Sequence, residues 1–158
     1  MTYSFAIRDG DLDLRSNGPG FAPVRGAEKL MQDLRCALME QRGTDPMHPD
    51  YGSTLDGGIG SDGTVVDTFI GGTITGESVA NIEAEVIRVL QAYQRQQINA
   101  IDQQQQNFGG KTYFSNKEIL YKLNGVESRQ IDDTIVVKVS ITTAAGQILD
   151  IVQPVGKV

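Results

Sequence analysis

No part of the chain leaves folding less freedom than residues 27–55. Apolar side chains at Ala27, Leu30, Met31, Leu34, Ala37 and Leu38 recur every three or four positions, so they line one side of a helix. Glu28, Lys29, Gln32, Asp33 and Arg35 take the opposite side. Gly43 offers the positive-φ position that commonly closes a helix. Pro46 and Pro49 disfavour the α region at Asp45 and His48, so the chain is expected to leave the helix and run extended through Tyr51-Gly52-Ser53. Two prolines reduce the entropy lost on ordering, so such a loop can hold one shape against the rest of the fold or against a partner.

At 158 residues the length suits one domain that buries roughly two-thirds of its unfolded surface. We divide it into an N-terminal arm or hairpin (1–26), a helical part carrying the proline and glycine loop (27–106) and a β part (111–158). With 14 basic and 20 acidic residues the net charge is −6, and no run of Lys or Arg forms a stripe that could neutralise phosphates. Direct nucleic-acid binding is therefore disfavoured. Cys36 is the one cysteine, which excludes an internal disulfide and any cysteine-cluster metal site; it reads as a small helix residue without chemistry. There is neither a basic leader nor an apolar run of about 20 residues, so no membrane span is expected and cytoplasmic assembly is the default.

Around the central stretch the pattern is legible in pieces. Tyr3, Phe5 and Ile7 alternate with polar or small residues up to the turn dipeptide Asp9-Gly10, and Leu12 and Leu14 alternate after it, which predicts a small hairpin. Residues 16–26 read as an irregular approach to the first helix, with Gly26 as its N-cap. Residues 56–63 read as a loop. Gly58, Gly60 and Gly63 match G-x-G-x-x-G, but no strand precedes and β-prone Thr64-Val65-Val66 follows, so a dinucleotide site is not expected. Gly57-Gly58-Ile59-Gly60-Ser61-Asp62 also spells one calcium-roll unit, which needs repeats that are absent. Residues 64–75 fit either a strand or a buried helical turn. Val79, Ile82, Val86, Val89, Leu90 and Tyr93 predict a second helix capped by Thr75 or Ser78. Eight glutamines follow between positions 91 and 106, and two readings stand: a helix projecting past the core, or a frayed end.

The last third is β. Ile119, Tyr121 and Leu123 alternate with Leu120, Lys122 and Asn124, and Asn124-Gly125 signals a turn. Ile135, Val137, Val139 and Ile141 share one face in the clearest strand. Ala144-Ala145-Gly146 returns the chain into Ile148, Leu149, Asp150, Ile151 and Val152, and Pro154 is expected to end ladder pairing. An apolar strand near a terminus is either covered within the domain or open to a partner's strand.

Candidates for chemistry are few. His48 is the one histidine, and Asp45, His48 and Asp50 could converge on a metal, although turn chemistry accounts for all three. Glu40 with Asp45, Asp50 or Asp56 could form a glycosidase carboxylate pair, but any acidic surface offers such pairs and aromatic platforms for sugars are few. No catalytic residue, metal or cofactor is expected.

Gln32-Asp33-Leu34-Arg35, Leu38, Gly43, then Pro49-Asp50-Tyr51-Gly52-Ser53 and Leu55 resemble the signature of the contractile-tail baseplate wedge family, the sheath-initiator subunit of phage tails and of related injection machines such as type VI secretion. The lead-in Asp11-Leu12-Asp13-Leu14 through Val24-Arg25-Gly26-Ala27-Glu28 is similar as well. Family members usually carry an acidic residue, Pro and Arg where the second helix ends; this chain has Tyr93-Gln94-Arg95-Gln96 there, and Glu40-Gln41-Arg42 lies on the wrong helix to replace it. The resemblance implies a structural subunit of a tail baseplate, present in six copies. It would be attached to wedge proteins, with hub or tube proteins nearby, and would offer its C-terminal strands to the first ring of tail sheath protein. Members have also been labelled lysozyme-like, which leaves a glycoside hydrolase as one alternative and a soluble adaptor as another.

The expected fold is α+β, with two main helices packed against a small, mostly antiparallel C-terminal sheet. Leu30, Leu34, Val86, Leu90, Val137 and Val139 are its expected core. Residues 148–152 are the expected partner strand, joined by main-chain bonding with register set by alternate side chains. Whether Pro49, Asp50, Tyr51, Gly52 and Ser53 face a partner or brace the first helix stays open, with Tyr51 packing the loop down.

Overall fold

The computed structural model describes residues 2–8, 11–13, 23–59, 63–66, 76–132 and 134–157. Its architecture is α+β. At the N-terminus β1 (Ser4–Phe5) pairs antiparallel with β4 (Pro23–Val24), and β2 (Ile7–Arg8) with β3 (Asp11–Leu12). The pairing of β2 with β3 agrees with the expected hairpin, while the Asp9-Gly10 turn and Leu14 lie outside the described residues.

Helix α1 (Gly26–Met39) buries Leu30, Leu34, Ala37 and Leu38, the stripe read from the spacing. Its ends differ from expectation. Gly26 is the first helical residue rather than the cap, and Arg25 takes the N-cap position without a side-chain bond. Gly43 does not close the helix, which stops at Met39; Glu40 turns extended, and Gln41–Arg42 forms β5. β5 lies in a small sheet of order β5-β6-β7, parallel to β6 (Ser53–Ile59), which pairs antiparallel with β7 (Val65–Val66). Residues 56–59, read as loop, are therefore strand. Gly58 permits this because a Cβ there would lie 2.8 Å from the Arg42 carbonyl oxygen, so only a bare backbone can approach β5 so closely. Residues 60–62, 67–75 and Thr75 as a cap lie outside the described residues.

Helix α2 (Gly76–Asn107) runs the full length of the glutamine-rich segment, so that segment is not a frayed end. It buries Ile82, Val86, Val89 and Leu90. The chain then returns along it into an antiparallel sheet of order β10-β9-β8, made of β8 (Leu120–Ile131), β9 (Thr134–Thr143) and β10 (Ile148–Lys157). Ile135, Val137, Val139 and Ile141 face inward and meet Leu149, Ile151 and Val155, the helices and Leu55 in one hydrophobic cluster.

Two turn readings fail on this sheet for related reasons. Asn124-Gly125 sits inside β8, where register shifts between Leu120 and Lys122 and between Leu123 and Gly125 absorb the extra residues as bulges. They also put Leu120 inside and leave Tyr121 68% exposed, against the simple alternation. Pro154 does not end pairing: it stands opposite Val136, and Val155 still opposes Ile135. A proline is tolerated there because β10 is at the sheet edge and that position needs no donor toward β9.

Candidate partner interface

The loop after α1 is first of all a brace. Residues at the end of a helix leave carbonyls without partners, and here the chain returns to satisfy them. The Ser53 hydroxyl donates to the Leu38 carbonyl at 2.6 Å, and the Ser53 N–H donates to the Glu40 carbonyl at 2.7 Å. Gly52, at φ 93°, allows the approach, since a Cβ would stand 2.6 Å from the Glu40 oxygen. Arg88 on α2 donates to the Gly52 carbonyl at 2.8 Å and pairs with Glu85, which accepts the Thr54 N–H at 2.7 Å. Burial pushes the Glu85 carboxyl up, but the bonds from Arg88 and Thr54 outweigh it and hold the group below its ordinary value. Tyr51 packs half-buried against the core, and burial pushes its hydroxyl up to about 12.

The three candidate metal ligands do not converge. Asp45 and His48 bond each other at 2.9 Å, whereas Asp50 turns to Arg42 at 2.7 Å. The His48 bond, with the Met47 N–H, holds the Asp45 carboxyl below its ordinary value. Glu40 is exposed and accepts from the Thr44 hydroxyl at 3.3 Å; Pro49 and Asp56 are exposed too, and Gly43 is half-buried beyond β5. Within the helix motif, Leu34 is core, and the Gln32 side chain donates to the Phe5 carbonyl at 2.7 Å while accepting the Ile7 N–H at 2.9 Å. Gln32 thus pins the N-terminal ribbon to α1 as a neighbouring strand would. Arg35 stays exposed.

The two edges of the C-terminal sheet are built differently. In the β9–β10 turn the Thr143 N–H donates to the Gln147 carbonyl at 2.9 Å. Bonded pairs recur every second residue, so Leu149, Ile151, Gln153 and Val155 bond toward β9 while the main chains of Ile148, Asp150, Val152 and Pro154 point outward. By the same alternation the outward residues of β8 include Leu120 and Ser128. Those are occupied: Gln97 accepts the Leu120 N–H at 2.8 Å, Gln94 donates to the Leu120 carbonyl at 3.1 Å, and Glu83 accepts the Ser128 N–H at 2.9 Å. Helix α2 therefore closes the β8 edge. Among the described residues, no side chain bonds the outward main-chain groups of Ile148, Asp150 or Val152. Of the five residues expected as a partner strand, Leu149 and Ile151 put their side chains in the core, while Ile148 and Val152 are 67% and 52% exposed. Asp150 pairs with Lys138 at 3.1 Å, and bonds from Ser140 and Lys138 hold its carboxyl low.

Beside the open edge runs a groove of about 700 Å³ whose walls are α1 and the ribbon. Met31, Cys36 and Met39 form its apolar side, facing Val152 and Pro154. It continues at one end toward Gln147 and Ala145 beside Ala27, and at the other toward Val155 and Leu55 beside Leu38, so α1 and β10 run in the same direction along it.

Sequence reasoning missed Glu118, the side chain that caps α1 from a distance. It is 2% exposed and accepts from the Gly26 N–H at 3.1 Å, the Ser115 N–H at 3.0 Å and the Thr2 hydroxyl at 2.9 Å. It also missed Gln97, whose amide donates to the Glu118 carbonyl at 2.6 Å, and Gln104, which accepts from Thr112 and Tyr113. A signal for Gln97 did exist: it stands seven residues after Leu90 and so continues the apolar stripe of α2 with a polar side chain, which demands a buried partner.

No family model and no curated protein sequence matches the chain. Among solved structures it is similar to a crystal structure from Geobacter sulfurreducens described as a "putative tail lysozyme", with 15% sequence identity and a TM-score of 0.53. The alignment covers 80% of this chain and 86% of that one, so the two share a fold over most of their length.

Proposed function

We propose that this protein is a structural subunit of a contractile phage tail baseplate, or of a related injection machine, that links wedge proteins to the first sheath ring by accepting a sheath strand on β10. Six copies would stand around the tail, with hub or tube proteins as further neighbours. The observation that carries the reading is the asymmetry of the sheet: one edge is closed by α2 side chains and the other presents bare main chain beside a groove. The shared fold with a protein whose name refers to a tail, and the signature over residues 32–55, supply the setting.

The test is a pull-down from tail-producing lysate with the intact chain and with Val152→Pro. Deleting β10 would take Leu149, Ile151 and Val155 out of the core, whereas a proline at 152 removes one outward donor and no bond to β9. Sheath and wedge proteins are expected on the intact chain, with sheath alone lost on the folded variant. Recovery of no tail protein by the intact chain would sink the proposal.

A further inference from the structure

The groove beside β10 has a polarity that selects the order of charges in the strand that fills it. α1 turns a second stripe toward the groove, in which Glu28 and Arg35 stand on either side of Met31 and Gln32. Both charged residues are exposed, and neither has an ion-pair partner among the described residues. Seven helical residues separate them by about 10 Å, close to the advance of three to four strand residues. Glu28 also lines the groove near Gln147, which puts the acidic end there and the basic end toward Pro154.

A strand bonded to the outward groups of Ile148, Asp150 and Val152 has alternate side chains on alternate faces. Those opposite Leu149, Ile151 and Gln153 turn toward α1. We infer that β10 and α1 together accept an extended segment of another chain that carries a basic residue opposite Leu149, an apolar one opposite Ile151 and an acidic one opposite Gln153. The basic side chain meets Glu28 and the acidic one meets Arg35. The apolar side chain enters between Met31 and Cys36, where a flexible thioether adapts to its shape. Past this point Pro154 offers no outward donor, so pairing weakens there and the segment is held in one register. This rests on the reading that β10 accepts a strand, and it adds which strand.

The experiment uses the intact chain and two nine-residue synthetic peptides of alternating valine and threonine. One has glutamate four residues before lysine, the inferred order for a segment running antiparallel to β10 as its neighbour β9 does, and the other has them exchanged. Binding is followed to millimolar peptide by fluorescence anisotropy and by the amide signals of Ile148, Asp150 and Val152. Two exposed ion pairs predict about a fivefold preference for the inferred order, shrinking as salt is raised. The double variant Glu28→Lys, Arg35→Glu, checked for folding by circular dichroism, is expected to reverse the preference. Equal binding of both peptides, lost with Val152→Pro, would overturn the charge order while leaving strand addition intact. Binding of neither peptide, or binding unchanged by Val152→Pro, would overturn both.

Discussion

Replacing Glu118 tests whether the N-terminal arm, the start of α1 and the return from α2 are held by one carboxylate. In Glu118→Ala the Gly26 and Ser115 N–H groups lose their acceptor. Each buried unpaired donor costs roughly 1–3 kcal/mol, while Thr2 is close enough to solvent to be rehydrated at little cost. The sum is about 2–6 kcal/mol. Glu118→Gln keeps one carbonyl, so it saves one set of bonds and sets an amide NH₂ against the other donors; about half that loss is expected. Urea denaturation of the three proteins measures it. The pH dependence provides a second readout. Burial raises the Glu118 carboxyl, but the bonds from Ser115, Gly26 and Thr2 outweigh it, so the folded value lies below the ordinary 4.5. A depressed folded value means that the stabilisation is complete above pH 4.5 and is lost as pH falls through the folded value. That part of the acid limb should be absent in Glu118→Gln. A Gln variant as stable as the parent, with the same acid limb, would refute the clamp.

Two further substitutions probe the brace and the closed edge. Gly52→Ala forces a left-handed φ on a side chain whose Cβ meets the Glu40 carbonyl oxygen at 2.6 Å; a loss of about 2–4 kcal/mol in thermal or chemical unfolding is expected. Gln97→Leu keeps the volume but strips partners from the Leu120 N–H and the Glu118 carbonyl, which should cost roughly 2–4 kcal/mol. Hydrogen exchange at Leu120 should rise in the same variant, because its amide then faces the edge without an acceptor.

Periodicity makes both helices and β9 legible in the amino-acid order, because burial on one side of an element repeats at the element's own spacing. Leu30, Leu34, Val86, Leu90, Val137 and Val139 are core for that reason. Punctuation is less legible. Gly43 has the character of a helix end, yet α1 stops at Met39, where Ser53 arrives from further along the chain to bond the Leu38 and Glu40 carbonyls and Gly52 leaves room for the approach. Asn124-Gly125 has the character of a turn, but β9 supplies a partner on both sides of the bulge and carries the strand through.

The sequence by itself determined which faces are apolar, where the strong elements lie and that the chain has an α+β pattern, since each of these depends on neighbours a few residues apart. Only the tertiary structure decided which sheet edge stays open. The stripe of α2 marks Gln97 as inward-facing, but only the fold sets it and Gln94 beside Leu120, and β10 is an apolar run until its pairing sends alternate main-chain groups outward. Hydrogen bonds between residues far apart in the chain leave no period in it, so the closing of one edge and the freedom of the other exist only in three dimensions.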